Sequence, residues 1–135
     1  MSLSPASGTG RYFARAAKSI RLIRQGCTNR PFFHISVTHR KRLNSQPVIE
    51  QLGSYDPMPN MYNEKLVALN LERLKYWLGN GAHVTTPVAE LLGLSGFFPI
   101  HPRSYMTAWR NRKTERERIA AEEAEKAKSQ ATESS

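Results

Sequence analysis

The side chains in this chain that could do chemistry are four histidines, one cysteine and a dense set of arginines. The histidines do not assemble into a site. His34 and His39 are five residues apart in a β-type run, so they fall on opposite faces. His83 and His101 have no partner at metal-ligand spacing. No Ser-His-Asp order, phosphate-cradling glycine loop or paired carboxylates occur in the 135 residues. A basic nuclease would need clustered acids to hold a metal, and the basic part of the chain has none. Catalysis has no residues to carry it, and a non-enzymatic role is expected. Cys27, the single cysteine, excludes an intrachain disulfide and a self-contained cysteine-rich zinc site. The arginines remain. A planar guanidinium donates two parallel hydrogen bonds to a phosphate and stacks on bases, so their chemistry is that of nucleic-acid binding.

Placement strengthens that reading. Met1 to Ile49 holds nine Lys and Arg and no acid, whereas residues 50 to 135 hold eleven bases and eleven acids. The whole net charge of +9 therefore sits in the first third. Segregation of this kind points to a polyanionic partner, nucleic acid first and an anionic membrane surface second. No apolar run approaches the ~20 residues of a membrane span. The longest candidate, Leu91 to Ile100, is broken by Gly93, Gly96 and Pro99.

The elements that must position these charges are short β-type runs. Ile20 to Arg24 is a strand candidate, with Ile20 and Leu22 on one face and Arg21 and Ile23 on the other. Gln25 to Arg30 reads as a loop, ended by Pro31. Phe32 to His39 alternates most cleanly, with Phe33, Ile35 and Val37 facing one way and Phe32, His34, Ser36 and Thr38 the other. A loop from His39 to Gln46 carries Arg40, Lys41 and Arg42. A third strand is expected from Val48 to Tyr55 and a short edge strand from Glu64 to Ala68. Such a sheet offers one face to a core and the other, with its loops, to a polyanion. Phe32 and Tyr55 read as packing residues rather than base-stacking ones. Asn70 caps a helix whose stripe is Leu71, Leu74, Trp77 and Leu78, stopped by Gly79-Asn80-Gly81. Thr86 caps a second helix with Pro87 at its first position, ended by Gly93.

Both ends differ from this core in composition. Residues 1–19 are rich in Ser and basic residues and free of acids, as in a mitochondrial transit peptide or a disordered basic arm. Residues 20–99 form the expected core domain. Residues 100–135 hold Arg110, Arg112, Lys113, Arg116 and Arg118, then Glu122, Glu123 and Glu125, with few recurring apolar positions. This pattern suits a helical extension docked on a partner and fraying into a tail by Ser129.

The core resembles the small-subunit ribosomal protein sixteen family in its mitochondrial form. The matching pieces run in unbroken order: Ile20-Arg21-Leu22, Gly26, Arg30-Pro31-Phe32-Phe33, Val37, Ile49-Glu50, Gly53, Tyr55-Asp56-Pro57, then Asn70-Leu71, Arg73, Trp77, Gly79 and Gly81-Ala82. One departure is Gln46-Pro47, where family members often carry a basic residue and a glycine. The resemblance implies an α+β fold, a small, mostly antiparallel β-sheet backed by two short helices, with an N-terminal arm and a C-terminal helical tail. It implies a structural component of the mitochondrial small ribosomal subunit that binds and compacts small-subunit ribosomal RNA in the matrix, beside neighbouring ribosomal proteins. A membrane and a small-molecule substrate are not expected. Arg21, Arg24, Arg30, Arg40, Lys41 and Arg42 are the expected RNA-binding residues. Mitochondrial members carry a cysteine in the Gly-Cys-Thr-Asn-Arg-Pro context of Cys27, which implies one ligand of a two-iron, two-sulfur (2Fe-2S) cluster completed by a neighbouring subunit. Four ligands are normally needed, so this chain holds no cofactor alone. Two rival roles are a free-standing nucleoid-type nucleic-acid binder and a protein adaptor acting through the Tyr105 to Lys128 helix.

Overall fold

The strand with the clearest alternation is the centre of the observed sheet. The computed structural model describes residues 17–133. The arm expected over residues 1–19 therefore lies outside the described residues as far as residue 16, and so do the last two residues of the tail. The chain divides into two units, Met1–Leu91 and Leu92–Ser135.

In the first unit, β1 (Lys18–Cys27), β2 (Arg30–His39), β3 (Glu50–Tyr55), β4 (Val67–Leu69) and β5 (His83–Val84) form one sheet in the order β4-β3-β2-β1-β5. Neighbours are antiparallel except β1 and β5, which run parallel. The fold is α+β, as expected, and the sheet is mostly antiparallel. Ile20 sits opposite Val37 and Leu22 opposite Ile35, and Ile20, Ile35 and Val37 are fully buried. The other face is not left open for a polyanion at this end. Ile23 on the Arg21 face is as buried as Ile20, so that face has apolar surface of its own to hide. Ser36 and Thr38 are buried there too, with hydroxyls that have no hydrogen-bond partner among the described residues.

The segment Gln25 to Arg30 is not the loop its glycine suggests. β1 and β2 stay paired to Cys27 opposite Arg30, leaving a two-residue turn at Thr28-Asn29. Gly26 (φ 86°) and Asn29 (φ 63°) take the left-handed conformation this requires. A Cβ on Gly26 would lie 2.3 Å from the Arg30 carbonyl oxygen, so the glycine serves close approach rather than chain breaking. β3 begins at Glu50, two residues later than expected, and bulges opposite Ile35 and Ser36. Leu52 is the extra residue there and is buried. The edge strand is displaced to Val67–Leu69.

Helix α1 (Leu71–Gly79) packs on β3. Its cap is the expected one, Asn70 Oδ1 accepting from the Arg73 amide at 3.2 Å. Leu74 and Trp77 are buried; Leu71, placed in the apolar stripe by spacing alone, is exposed because it begins the helix. Gly81 donates to Leu78 and Ala82 to Trp77, closing α1 in a Schellman motif with Ala82 and Trp77 both buried. Helix α2 (Thr86–Leu94) is capped one residue earlier than expected. The Thr85 carbonyl accepts the first helical bond from Ala89, while its amide and hydroxyl both donate to the Ile20 carbonyl on β1. Gly93 lies inside this helix. The end is again a Schellman motif, with Gly96 (φ 85°) donating to Gly93 and Phe97 to Leu92.

The second unit is dominated by α3 (Pro102–Glu133), a 32-residue helix of about 48 Å. It continues through Glu133, past the point where fraying was expected. Its polar groups pair along the helix itself: Arg118 with Glu115 and Glu122, and Lys113 with Glu117 at 3.9 Å. No helix among the described residues is long and apolar enough to cross a membrane.

Candidate nucleic-acid interface

The six basic residues singled out from the sequence fall at two ends of one ladder. Lys18 opposite His39 marks one end and Cys27 opposite Arg30 the other, nine residue steps or roughly 30 Å apart. At the first end, Arg40, Lys41 and Arg42 occupy the exposed loop between β2 and β3. Internal bonds give this loop its shape. The Arg40 amide donates to Ala17, the Arg42 amide to His39 and the Ile49 amide to Val37. Arg42 also donates through its side chain to the Pro47 carbonyl at 3.0 Å, and Arg21 donates to the Arg42 carbonyl. Arg21 and Arg42 are thus partly spent on holding the loop. Arg40 and Lys41 stand clear of any side-chain partner among the described residues.

At the hairpin tip, Arg24 is exposed and unpaired among the described residues. Arg30 is not free: its guanidinium pairs with Asp56 at 2.7 Å, across to the turn after β3. That partner was missed by sequence reasoning. The Asp56-Pro57 pair read as turn chemistry, and nothing local to it points to a residue 26 positions earlier. Cys27 is exposed at this tip, on a concave surface lined by Arg24, Gln25, Gly26, Thr28 and Asn29. Among the described residues, no three of His, Cys, Asp and Glu gather closely enough to hold a metal ion. The aromatics near the tip pack on neighbours. Phe33 stacks with Tyr55 at 6.2 Å between ring centres, and Phe32 meets His34 edge-on at 5.7 Å.

Behind the sheet lies a polar network that the charge count does not reveal. Glu50, the first acid in the chain, accepts two hydrogen bonds from Arg73 (2.6 and 2.7 Å) and one from the Trp77 indole (2.7 Å). The Arg73 bonds hold the Glu50 carboxyl below its ordinary range, against the opposing effect of burial. The Arg73 guanidinium lies 4.4 Å from the Tyr76 ring centre and the Lys18 ammonium 5.2 Å from that of Trp77. The network ties α1 to β3 and to the start of β1, which fixes the strands whose loops carry the free charges.

The family model described as Ribosomal protein S16 matches residues 24–85, the span that contains β2, β3 and α1. A Drosophila melanogaster protein, small ribosomal subunit protein bS16m, is 66% identical over 123 residues, covering 91% of this chain and 95% of its own. A Caenorhabditis elegans protein of the same name is 48% identical over 122 residues, covering 85% and 82%. A bacterial relative from Rickettsia massiliae, small ribosomal subunit protein bS16, is 38% identical over 80 residues and covers only 59% of this chain. The animal relatives thus share parts of the chain that lie beyond the bacterial match. The chain belongs to the ribosomal protein S16 family.

Proposed function

We propose that this chain is a structural component of the mitochondrial small ribosomal subunit, where it binds and compacts the subunit's RNA in the matrix. The observation that carries this is the nearly end-to-end match, at 66% identity, with the Drosophila relative of that name. The role is electrostatic and geometric, not enzymatic. Folded RNA crowds phosphates together, and cations on a rigid frame offset that repulsion at several separate segments. Arg24, Arg40 and Lys41, which have no side-chain partner among the described residues, are the direct phosphate contacts in this reading. Arg21 and Arg42 shape the loop that presents two of them, and Arg30 reaches RNA from its ion pair with Asp56. Double-stranded RNA is read by shape and backbone, so base-specific contacts are not required. Five neutralised phosphates would give a log–log salt slope of order −4. Gradient sedimentation of a mitochondrial lysate at low and high salt tests the reading. Co-migration with the small subunit is expected; a chain found only at the top of the gradient excludes it.

A second part of the proposal concerns Cys27. An exposed thiol at the tip of a rigid hairpin fits one corner of a cluster shared with a neighbouring subunit, which must then supply the remaining ligands. Such a 2Fe-2S group would cross-link two subunits through thiolates. Iron and sulfide content of the assembled particle, compared between wild type and Cys27→Ser, decides it. Equal content removes the idea.

A further inference from the structure

We propose that α3 carries a second RNA-binding surface, a stripe formed by Tyr105, Trp109, Arg112 and Arg116 that takes unpaired nucleotides. The spacing of four, three and four residues places these side chains on one face of the helix. The stripe is roughly 16 Å long, enough for a few extended nucleotides. Tyr105, Met106 and Trp109 are all more than half exposed, and with Arg110 they line a shallow groove. The ion pairs of α3 given by Lys113 and Arg118 lie on other faces of the helix, so these aromatics are left facing solvent.

Charge decides the occupant. Arg118 is engaged by Glu115 and Glu122, and Lys113 by Glu117. Arg110, Arg112 and Arg116 make no ion pair with any described residue. No acid falls on the stripe between Tyr105 and Arg116; the first one in line with it is Glu123, seven residues farther on. A partner helix docking through apolar knobs would need the apolar positions to continue directly past Trp109, and Arg112 and Arg116 fill the next two turns before Ile119. An acidic protein surface would have no use for the aromatic half. An unpaired RNA segment uses both: bases stack on Tyr105 and Trp109, and the following phosphates meet Arg112 and Arg116. Arginine adds planar stacking and bidentate phosphate contact in the same residue.

This surface belongs to a different element from the sheet loops and lies outside the residues matched by the family model. It extends the RNA-binding reading above to a second element, and the two can fail independently. The test uses the full chain and a labelled, unstructured RNA of about a dozen nucleotides, chosen to exceed common single-strand site sizes. Anisotropy is read across a salt series. Trp109→Ala is expected to weaken binding about tenfold. Arg112→Gln and Arg116→Gln should each lower the log–log salt slope by roughly 0.7. Arg118→Gln removes the same formal charge from a residue already paired with glutamates and should leave the slope unchanged. All four positions are exposed, and circular dichroism confirms that the helix persists. Unchanged affinity and slope in the stripe variants would overturn the proposal, as would an equal effect of Arg118→Gln. Stripe variants that keep RNA affinity yet leave the small subunit on a gradient would assign the stripe to a protein neighbour, which also overturns it. If the wild type does not sediment with the small subunit, the ribosomal reading fails, while a loss of RNA binding in Trp109→Ala still upholds this one.

Discussion

The sheet unit and α3 are built on opposite plans. In the sheet unit, side chains are committed to partners far away in sequence: Glu50 to Arg73 and Trp77, Arg30 to Asp56, Thr85 to Ile20. In α3, Lys113 pairs with Glu117 and Arg118 with Glu115 and Glu122, residues three or four positions apart. The first plan fixes each residue through packing, so a change at one place is felt at another. The second leaves these paired positions answerable to their own stretch of helix. The contrast shows why the cations divide as they do. Of the six cations on the sheet, Arg21, Arg30 and Arg42 are drawn into the architecture, and Arg24, Arg40 and Lys41 have no side-chain partner among the described residues. On α3, local pairing removes some cations and leaves a complete stripe available.

Four measurements would break or sharpen that contrast, in order of expected size. Leu74 is fully buried in the sheet unit. Leu74→Ala should cost about 2–5 kcal/mol of unfolding free energy in urea. Ile119→Ala on α3, at an exposed position, should cost less than about 0.5 kcal/mol. Similar costs at the two sites would remove the distinction. Next comes Gly26→Ala, which combines a left-handed φ with a close approach to the Arg30 carbonyl. A loss of about 1–3 kcal/mol is expected, together with faster amide exchange at Cys27 and Arg30 than at Ile20 and Val37.

Third is Glu50→Gln, which leaves Arg73 without its carboxylate and weakens the acceptor of the Trp77 indole; a cost of about 1–2 kcal/mol is expected. The same site sets a pH dependence. Because the Glu50 carboxyl is lowered in the folded state, chiefly by Arg73, its contribution is present above the ordinary glutamate range. It is lost as pH falls through the lowered folded value. Wild type should therefore lose stability on acidification more steeply than Glu50→Gln, and parallel curves would disprove the assignment. The smallest effect is Arg118→Gln, where breaking two exposed pairs should trim α3 helicity without moving the urea midpoint of the sheet unit.

Local signals were enough to read some elements and not others. The alternation in Phe32 to His39 located β2, and Asn70 located the start of α1, because strand period and capping are properties of a few consecutive residues. The charge segregation was likewise readable by counting. What failed depended on distant contacts. Gly26 looked like a chain breaker, but only its partner across the hairpin shows that it is there to admit the Arg30 carbonyl. Thr86 looked like the cap of α2, whereas Thr85 holds that place because β1 lies beside it to accept its hydrogen bonds. β5, two residues long and parallel to β1, has no pattern of its own to find. The same holds for the basic cluster. Six cations look alike in sequence, and their separation into structural and free ones required Asp56 and the Arg42 and Pro47 carbonyls to be in place.

The outermost strands are three and two residues long. A row of unpaired backbone amides and carbonyls is a template on which another copy of the chain can add a strand. Here that template is short on the β4 side, while β5 covers only Ser19 and Ile20 of β1 and leaves Arg21 to Cys27 as an open border that carries Arg21 and Arg24, charges that oppose a second copy. A basic protein that accumulates before its polyanion is present would otherwise risk joining edge to edge into insoluble material. A three-residue border at β4 and a basic border along β1 both oppose such joining, and lengthening β4 by removing the turn residues before it should promote it.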